Sequence, residues 1–121
     1  MIDAERRGEQ PYAQIGDDDD VAVAAITVAE LLVGVSLASG TWRTTRQRFV
    51  DAVLESVPVL PYDTRVARTH ATLLVAVRRS GRPRGAHDLI IAATAASSGR
   101  TVLTEDSTAF DDLPGVQVQA H

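Results

Sequence analysis

Three acids in this chain, Glu30, Asp88 and Asp106, each stand beside an apolar run. The most telling is Asp88. Its surroundings, Gly85-Ala86-His87-Asp88-Leu89-Ile90-Ile91-Ala92-Ala93-Thr94-Ala95-Ala96, read as a helix that is apolar almost all the way round, and such a helix is normally buried. Asp88 falls near its first turn, on a face with Ala92 and beside Ile91 and Ala95. Two readings account for an acid there. It complements the helix macrodipole, worth roughly 0.3–1 kcal/mol, or it ligates a metal in a cleft. Glu30 and Asp106 also have modest alternatives: Glu30 as the reciprocal partner of a Thr27 capping box, Asp106 as an N-cap. Taken together the three point further. Carboxylates held close to one another repel unless a cation neutralises them. Oxygen-only ligands with open positions suit Mg²⁺ or Mn²⁺ rather than zinc. Phosphoryl transfer is the natural chemistry of such a cluster, with the metal activating water and polarising the phosphate. Thr27 and Thr104 would add hydroxyls at the rim. No phosphate-binding loop, Gly-x-Ser-x-Gly elbow or histidine-based zinc site is present.

The elements that must position these acids emerge from the patterning. Val21-Ala22-Val23-Ala24-Ala25-Ile26 is an unbroken apolar run of the kind found in a strand covered on both faces. Thr27 and Glu30 then fit a capping box that opens a helix with Val28, Leu31, Leu32 and Val35 on its apolar face, ended by Gly40. Trp42, Phe49, Val50, Val53, Leu54 and Val57 recur at helical spacing and predict a second helix over about 41–56, with Trp42 a core or interface anchor. Residues 57–62, with Pro58 and Pro61, suit an edge or short strand. Asp63 caps a third helix lined by Val66, His70, Leu73, Leu74 and Val77, with His70 a core or boundary residue. The basic stretch 78–85 leads into the Asp88 helix. Its arginines, Arg82 and Arg84 among them, read equally as a solvated connection or as a phosphate-contacting rim. Residues 100–104 form a further strand, Leu113-Pro114-Gly115 a turn, and Val116-Gln117-Val118 a last strand. Near the amino end, residues 1–8 and 11–15 suit short helical segments, and Asp17 to Asp20 a solvated loop without EF-hand spacing. Alternating strands and helices predict an α/β fold with a parallel sheet. Sites in open sheets of that kind form beyond the carboxyl ends of the strands, where Glu30 and Asp106 are placed.

Composition bounds the reading. The chain's 121 residues, 45% of them hydrophobic, make one domain's core. A net charge of −4 argues against a general nucleic-acid coat, but not against a nuclease whose site must be acidic. All 12 basic residues are Arg, which suits bidentate phosphate contacts. The absence of Cys excludes disulfides and thiolate chemistry. The charged start Met1-Ile2-Asp3-Ala4-Glu5-Arg6-Arg7 is unlike a signal peptide, and no apolar run reaches membrane-spanning length. The expectation is a cytoplasmic protein with no membrane association.

Three segments together resemble a known family: Ile26-Thr27-Val28-Ala29-Glu30-Leu31, then His87-Asp88-Leu89-Ile90-Ile91-Ala92-Ala93-Thr94-Ala95, then Val102-Leu103-Thr104-Glu105-Asp106. They look like PIN-domain proteins, and more narrowly the VapC-type ribonuclease toxins of toxin–antitoxin pairs. The ending Phe110-Asp111-Asp112-Leu113-Pro114-Gly115-Val116 is similar to that family's last turn and strand. The resemblance implies a three-layer α/β/α sandwich with a short parallel sheet and Mg²⁺- or Mn²⁺-dependent cleavage of RNA. It also implies a homodimer and neutralisation by a small DNA-binding antitoxin. By position, Asp88 would be the principal metal ligand, Glu30 would bind directly or through water, and Asp106 would complete the cluster. Thr104 matches a hydroxyl position near the site.

One departure stands out. The family opens with a central strand ending in Asp, and Met1 to Gly8 match the segment after that strand. The expectation is a single domain over 1–121, truncated at its amino end, with the missing strand's neighbours facing each other across a gap. The leading reading is a ribonuclease toxin. The alternative is a catalytically impaired PIN-like binding protein that dimerises and holds an antitoxin. A third, a small phosphatase with only the fold in common, would hydrolyse phosphomonoesters and leave RNA intact.

Overall fold

Small side chains let one helix lie at the centre of this protein. The computed structural model describes residues 21–104 and 106–120. In chain order these form β1 (Val23–Ala24), α1 (Ala25–Leu37), α2 (Gly40–Ser56), β2 (Val59–Leu60), α3 (Thr64–Ser80), α4 (Ala86–Ser97), β3 (Thr101–Thr104), a 3₁₀ turn (Ser107–Ala109) and β4 (Gln117–Ala120). The segments expected at 1–8 and 11–15 and the Asp17–Asp20 run lie outside the described residues.

Helix α4 is the central one. Ile91, Ala92, Ala93 and Ala95 have no exposed surface, and Leu89 and Thr94 are nearly as deep. Alanine allows close approach of neighbouring elements, so α3, β1, β3 and α1 all pack against this helix. Thr94 tolerates burial because its hydroxyl donates to the Ile90 carbonyl at 2.7 Å. The main core joins these residues to Val66 and Leu73 of α3, Val102 of β3, and Phe110 and Leu113. A smaller cluster of Val23, Val53 and Val57 seats α2 against β1.

The strands are parallel, as the patterning required. β1 pairs with β2 in the register Val23↔Val59 and Ala24↔Leu60. β3 pairs with β4 from Thr101↔Gln117 to Thr104↔Ala120. Among the described residues these are two separate two-stranded sheets. The result is a mostly helical α/β fold with short parallel strands.

Several boundaries differ from expectation. The apolar run 21–26 is only a two-residue strand, and α1 begins at Ala25. Its partner β2 lies between Pro58 and Pro61, and proline lacks the amide that would extend a ladder. The helix therefore starts earlier than expected, with Ala24 as N-cap and no side-chain cap bond. Thr27 is the third helical residue, so the expected Thr27–Glu30 capping box does not form. Gly40 does not end α1. It opens α2 in a left-handed conformation, φ 59°. The α1 terminus is instead closed by Arg43, whose Nε donates to the Ala38 carbonyl at 2.9 Å and whose Nη2 donates to Ser36 at 3.2 Å. Asp63 caps α3 as expected, accepting from the Val66 amide at 3.0 Å. His70 is half-buried on α3 and meets the Tyr62 hydroxyl at 2.8 Å.

Candidate metal and nuclease site

Two carboxylates are drawn into the protein where α1 passes the start of α4. Asp88 is the third residue of α4 and only 4% exposed. Its position complements the macrodipole, but its depth exceeds what that role needs. Gly85, the N-cap of α4, makes room for it: a Cβ there would lie 2.9 Å from Asp88 Oδ2. Glu30, in the second turn of α1, keeps a side chain 10% exposed, with Oε2 3.3 Å from His87 Nδ1. That contact carries opposite charges when the imidazole is protonated. Glu30 therefore reaches the residue next to Asp88, which the helix packing brings about and no local spacing could.

Thr27, one turn before Glu30, is fully buried, and its hydroxyl has no hydrogen-bond partner among the described residues. An unsatisfied buried hydroxyl is costly. A bound cation or its water is one way to satisfy it.

Asp106 stands at the carboxyl end of β3, which packs against α4. Its amide donates to Thr104 Oγ1 at 3.0 Å, its carbonyl accepts from the Ala109 amide at 3.2 Å, and its carboxylate accepts from the Thr108 hydroxyl. Asp106 thus nucleates the 3₁₀ turn, and Thr104, fully buried, anchors its amide. Arg82 is exposed and pairs with Asp112 at 3.0 Å. Arg84 turns inward, donating from Nη1 to the Ala109 carbonyl at 3.2 Å and to Thr108 at 3.5 Å, and from Nη2 to Asp111.

The donor chemistry fits a hard divalent cation: carboxylates and a hydroxyl, without sulfur. Of the set, the packing of α1 on α4 brings Glu30 to His87, the chain neighbour of Asp88, and Gly85 makes room for the Asp88 carboxylate. Among the described residues no group of three or more His, Cys, Asp or Glu is arranged to hold a metal. Asp106 is placed by β3 and its own turn.

Sequence reasoning passed over His87, Gly85 and the inward course of Arg84. Gly85 had a legible signal, a glycine at the start of a helix with an acid three residues later. The other two depend on contacts between segments far apart in the chain.

A family model described as "PIN domain" matches residues 1–116. The chain is 42% identical over 105 residues to the curated protein "Ribonuclease VapC5" of Mycobacterium tuberculosis, covering 83% of this chain and 76% of that one. It is 28% identical to a "tRNA(fMet)-specific endonuclease VapC" of Salmonella typhimurium, over 82% of this chain and 74% of that one. Among solved structures, VapBC-5 of M. tuberculosis, a member of the VapBC family of toxin–antitoxin systems, superposes with a TM-score of 0.76 at 36% identity, covering 84% and 82% of the two chains. FitAcB from Neisseria gonorrhoeae superposes with a TM-score of 0.73 at 29% identity, covering 98% and 96%. With short parallel strands, an apolar central helix and an acid buried in that helix's first turn, the chain belongs to the PIN-domain family.

Proposed function

We propose that this protein is a divalent-metal-dependent endoribonuclease that serves as the toxin of a toxin–antitoxin pair. The observation that carries the reading is a buried Asp88 in the first turn of α4 with Glu30 of the packed helix α1 held against its chain neighbour His87, in a chain similar to proteins named as VapC ribonucleases. Glu30, Asp88 and Asp106 would hold Mg²⁺ or Mn²⁺, with the hydroxyls of Thr27 and Thr104 in support. Such an ion activates water and stabilises charge on the phosphate. The chain's own contribution is to exclude solvent around Asp88, to hold Glu30 against His87, and to fix Asp106 at the end of β3. Arg82, exposed at the α3–α4 connection, is a rim cation for RNA phosphates.

The partner reading rests on α1 and α2. Leu37 is 83% exposed and Trp42 63%, with Leu32, Val33 and Leu54 also open to solvent. Several large apolar side chains left open on two successive helices suit an interaction site. We assign it to a cognate antitoxin, in keeping with the similarity to VapBC assemblies, and we assign a homodimer to the same protein. No helix among the described residues is long and apolar enough to cross a membrane, and the cytoplasm is where RNA and antitoxin would be met.

The test is Asp88→Asn, which keeps shape and removes charge. Cleavage of RNA in Mg²⁺ should vanish while the thermal melt moves by only a few degrees. A folded Asp88→Asn protein that still cuts RNA removes Asp88 from the reaction. A second reading, a PIN-like binding protein with impaired catalysis, draws on the lack of a three-membered metal group among the described residues. It predicts antitoxin binding by the wild-type chain with no metal-dependent cleavage.

A further inference from the structure

Arg84 ends the connection between α3 and α4, one residue before the N-cap of the helix that carries Asp88. Its guanidinium, on a half-buried side chain, is engaged by backbone carbonyls rather than by a carboxylate as that of Arg82 is. It reaches across 24 to 27 residues of sequence to the carbonyls of Thr108, Ala109 and Asp111. Those carbonyls belong to the 3₁₀ turn that Asp106 begins and to the residues just after it. Between them Phe110 is buried in the main core, so the turn is held by an apolar anchor on one side and a charged fork on the other. A planar guanidinium can serve several carbonyls at fixed angles, which a single ammonium cannot.

We propose that Arg84 is a positioning residue that ties the Asp106 turn to the start of α4, and so sets where the Asp106 carboxylate stands relative to Asp88. This rests on the reading of Asp88 and Asp106 as metal ligands. Groups that hold a ligand in place typically change metal affinity by about 10- to 100-fold when removed.

The experiment titrates the purified protein with Mn²⁺ alone by calorimetry and tracks amide exchange at Ala109, whose N–H donates to the Asp106 carbonyl. The Ile91 amide, in the core of α4, reports global stability. Arg84→Ala should speed exchange at Ala109 about tenfold relative to Ile91 and weaken Mn²⁺ about tenfold. The double variant with Asp106→Asn should bind Mn²⁺ no more weakly than Asp106→Asn alone, because Arg84 acts through Asp106. Arg84→Lys keeps the charge but not the fork, so it should behave as Arg84→Ala does. It also carries the test should the alanine variant fail to fold.

Unchanged Mn²⁺ affinity in Arg84→Ala, with Asp88→Asn and Asp106→Asn both impaired, overturns the positioning role alone. Wild-type affinity in Arg84→Lys assigns the effect to charge alone, additive losses in the double variant show that Arg84 acts independently of Asp106, and either overturns it. Wild-type Mn²⁺ affinity in Asp88→Asn and Asp106→Asn overturns the metal reading beneath it, and the Arg84 role with it.

Discussion

Gly85 shows how much one missing methyl group can decide. Its backbone, φ −61° and ψ 137°, is open to any residue, so conformational freedom is not the reason for glycine. The reason is the Asp88 carboxylate, whose Oδ2 lies 2.9 Å and Cγ 3.5 Å from where a Cβ would be. Asp88 is too buried to swing aside without moving the side chains around it. Gly85→Ala should therefore displace the carboxylate, weakening Mn²⁺ binding and RNA cleavage about tenfold with little change in the melt. An alanine variant with full affinity and full cleavage would show that the carboxylate position is not critical. Thr27 makes a parallel case. Thr27→Val replaces a hydroxyl that has no hydrogen-bond partner among the described residues with a methyl group of similar size. If no cation or water satisfies that hydroxyl, the change should stabilise the protein by about 1 kcal/mol in urea. If the hydroxyl serves a bound metal, Mn²⁺ should protect the wild type against unfolding more than it protects the variant.

At the scale of elements, the helices divide into those made by their own sequence and those made by their neighbours. α3 is of the first kind. Asp63 caps it, Gly81 ends it in a left-handed conformation at φ 70°, and Val66 and Leu73 bury one face. Asp63→Ala should cost about 1 kcal/mol. Leu73→Ala, at a site with no exposure, should cost about 2–5 kcal/mol. Urea unfolding of the two variants measures both, and a larger loss at Asp63 would contradict this ranking. α1 is of the second kind. It lacks a side-chain cap, and its start is set by a two-residue pairing of β1 with β2. The run 21–26 could not disclose that, because apolar residues fit a buried strand and a buried helix equally well.

At the scale of the whole molecule, the most exposed apolar side chains, Leu37 and Trp42, stand at the end of α1 and the start of α2, further along the chain than Thr27 and Glu30. Leu37→Ser and Trp42→Ser together should weaken antitoxin binding at least about tenfold, as removal of an exposed aromatic anchor does. They should leave Mn²⁺ affinity unchanged, because neither side chain lies in the core. Sedimentation with the purified antitoxin, beside calorimetry with Mn²⁺, reads the two effects apart. Wild-type antitoxin affinity in this double variant would place the interface elsewhere. Trp42 is instructive here. Its spacing allowed a core or an interface residue; its exposure sets it outside the core of the described residues and is in keeping with the proposed interface.

The amino-acid sequence by itself determined the alternation of short apolar runs and helices, the parallel strands, the Asp63 cap and the largely buried character of 88–95. These arise from local periodicity and capping chemistry, which need only neighbours in the chain. It also identified Asp88 as an acid in an apolar helix. Only the tertiary structure decided that Glu30 leaves its expected capping role and meets His87. The same is true of Arg84, which turns inward to three carbonyls while Arg82 stays at the surface. A side chain's partners across 24 or 57 residues depend on how helices pack, and no spacing within one element encodes that distance.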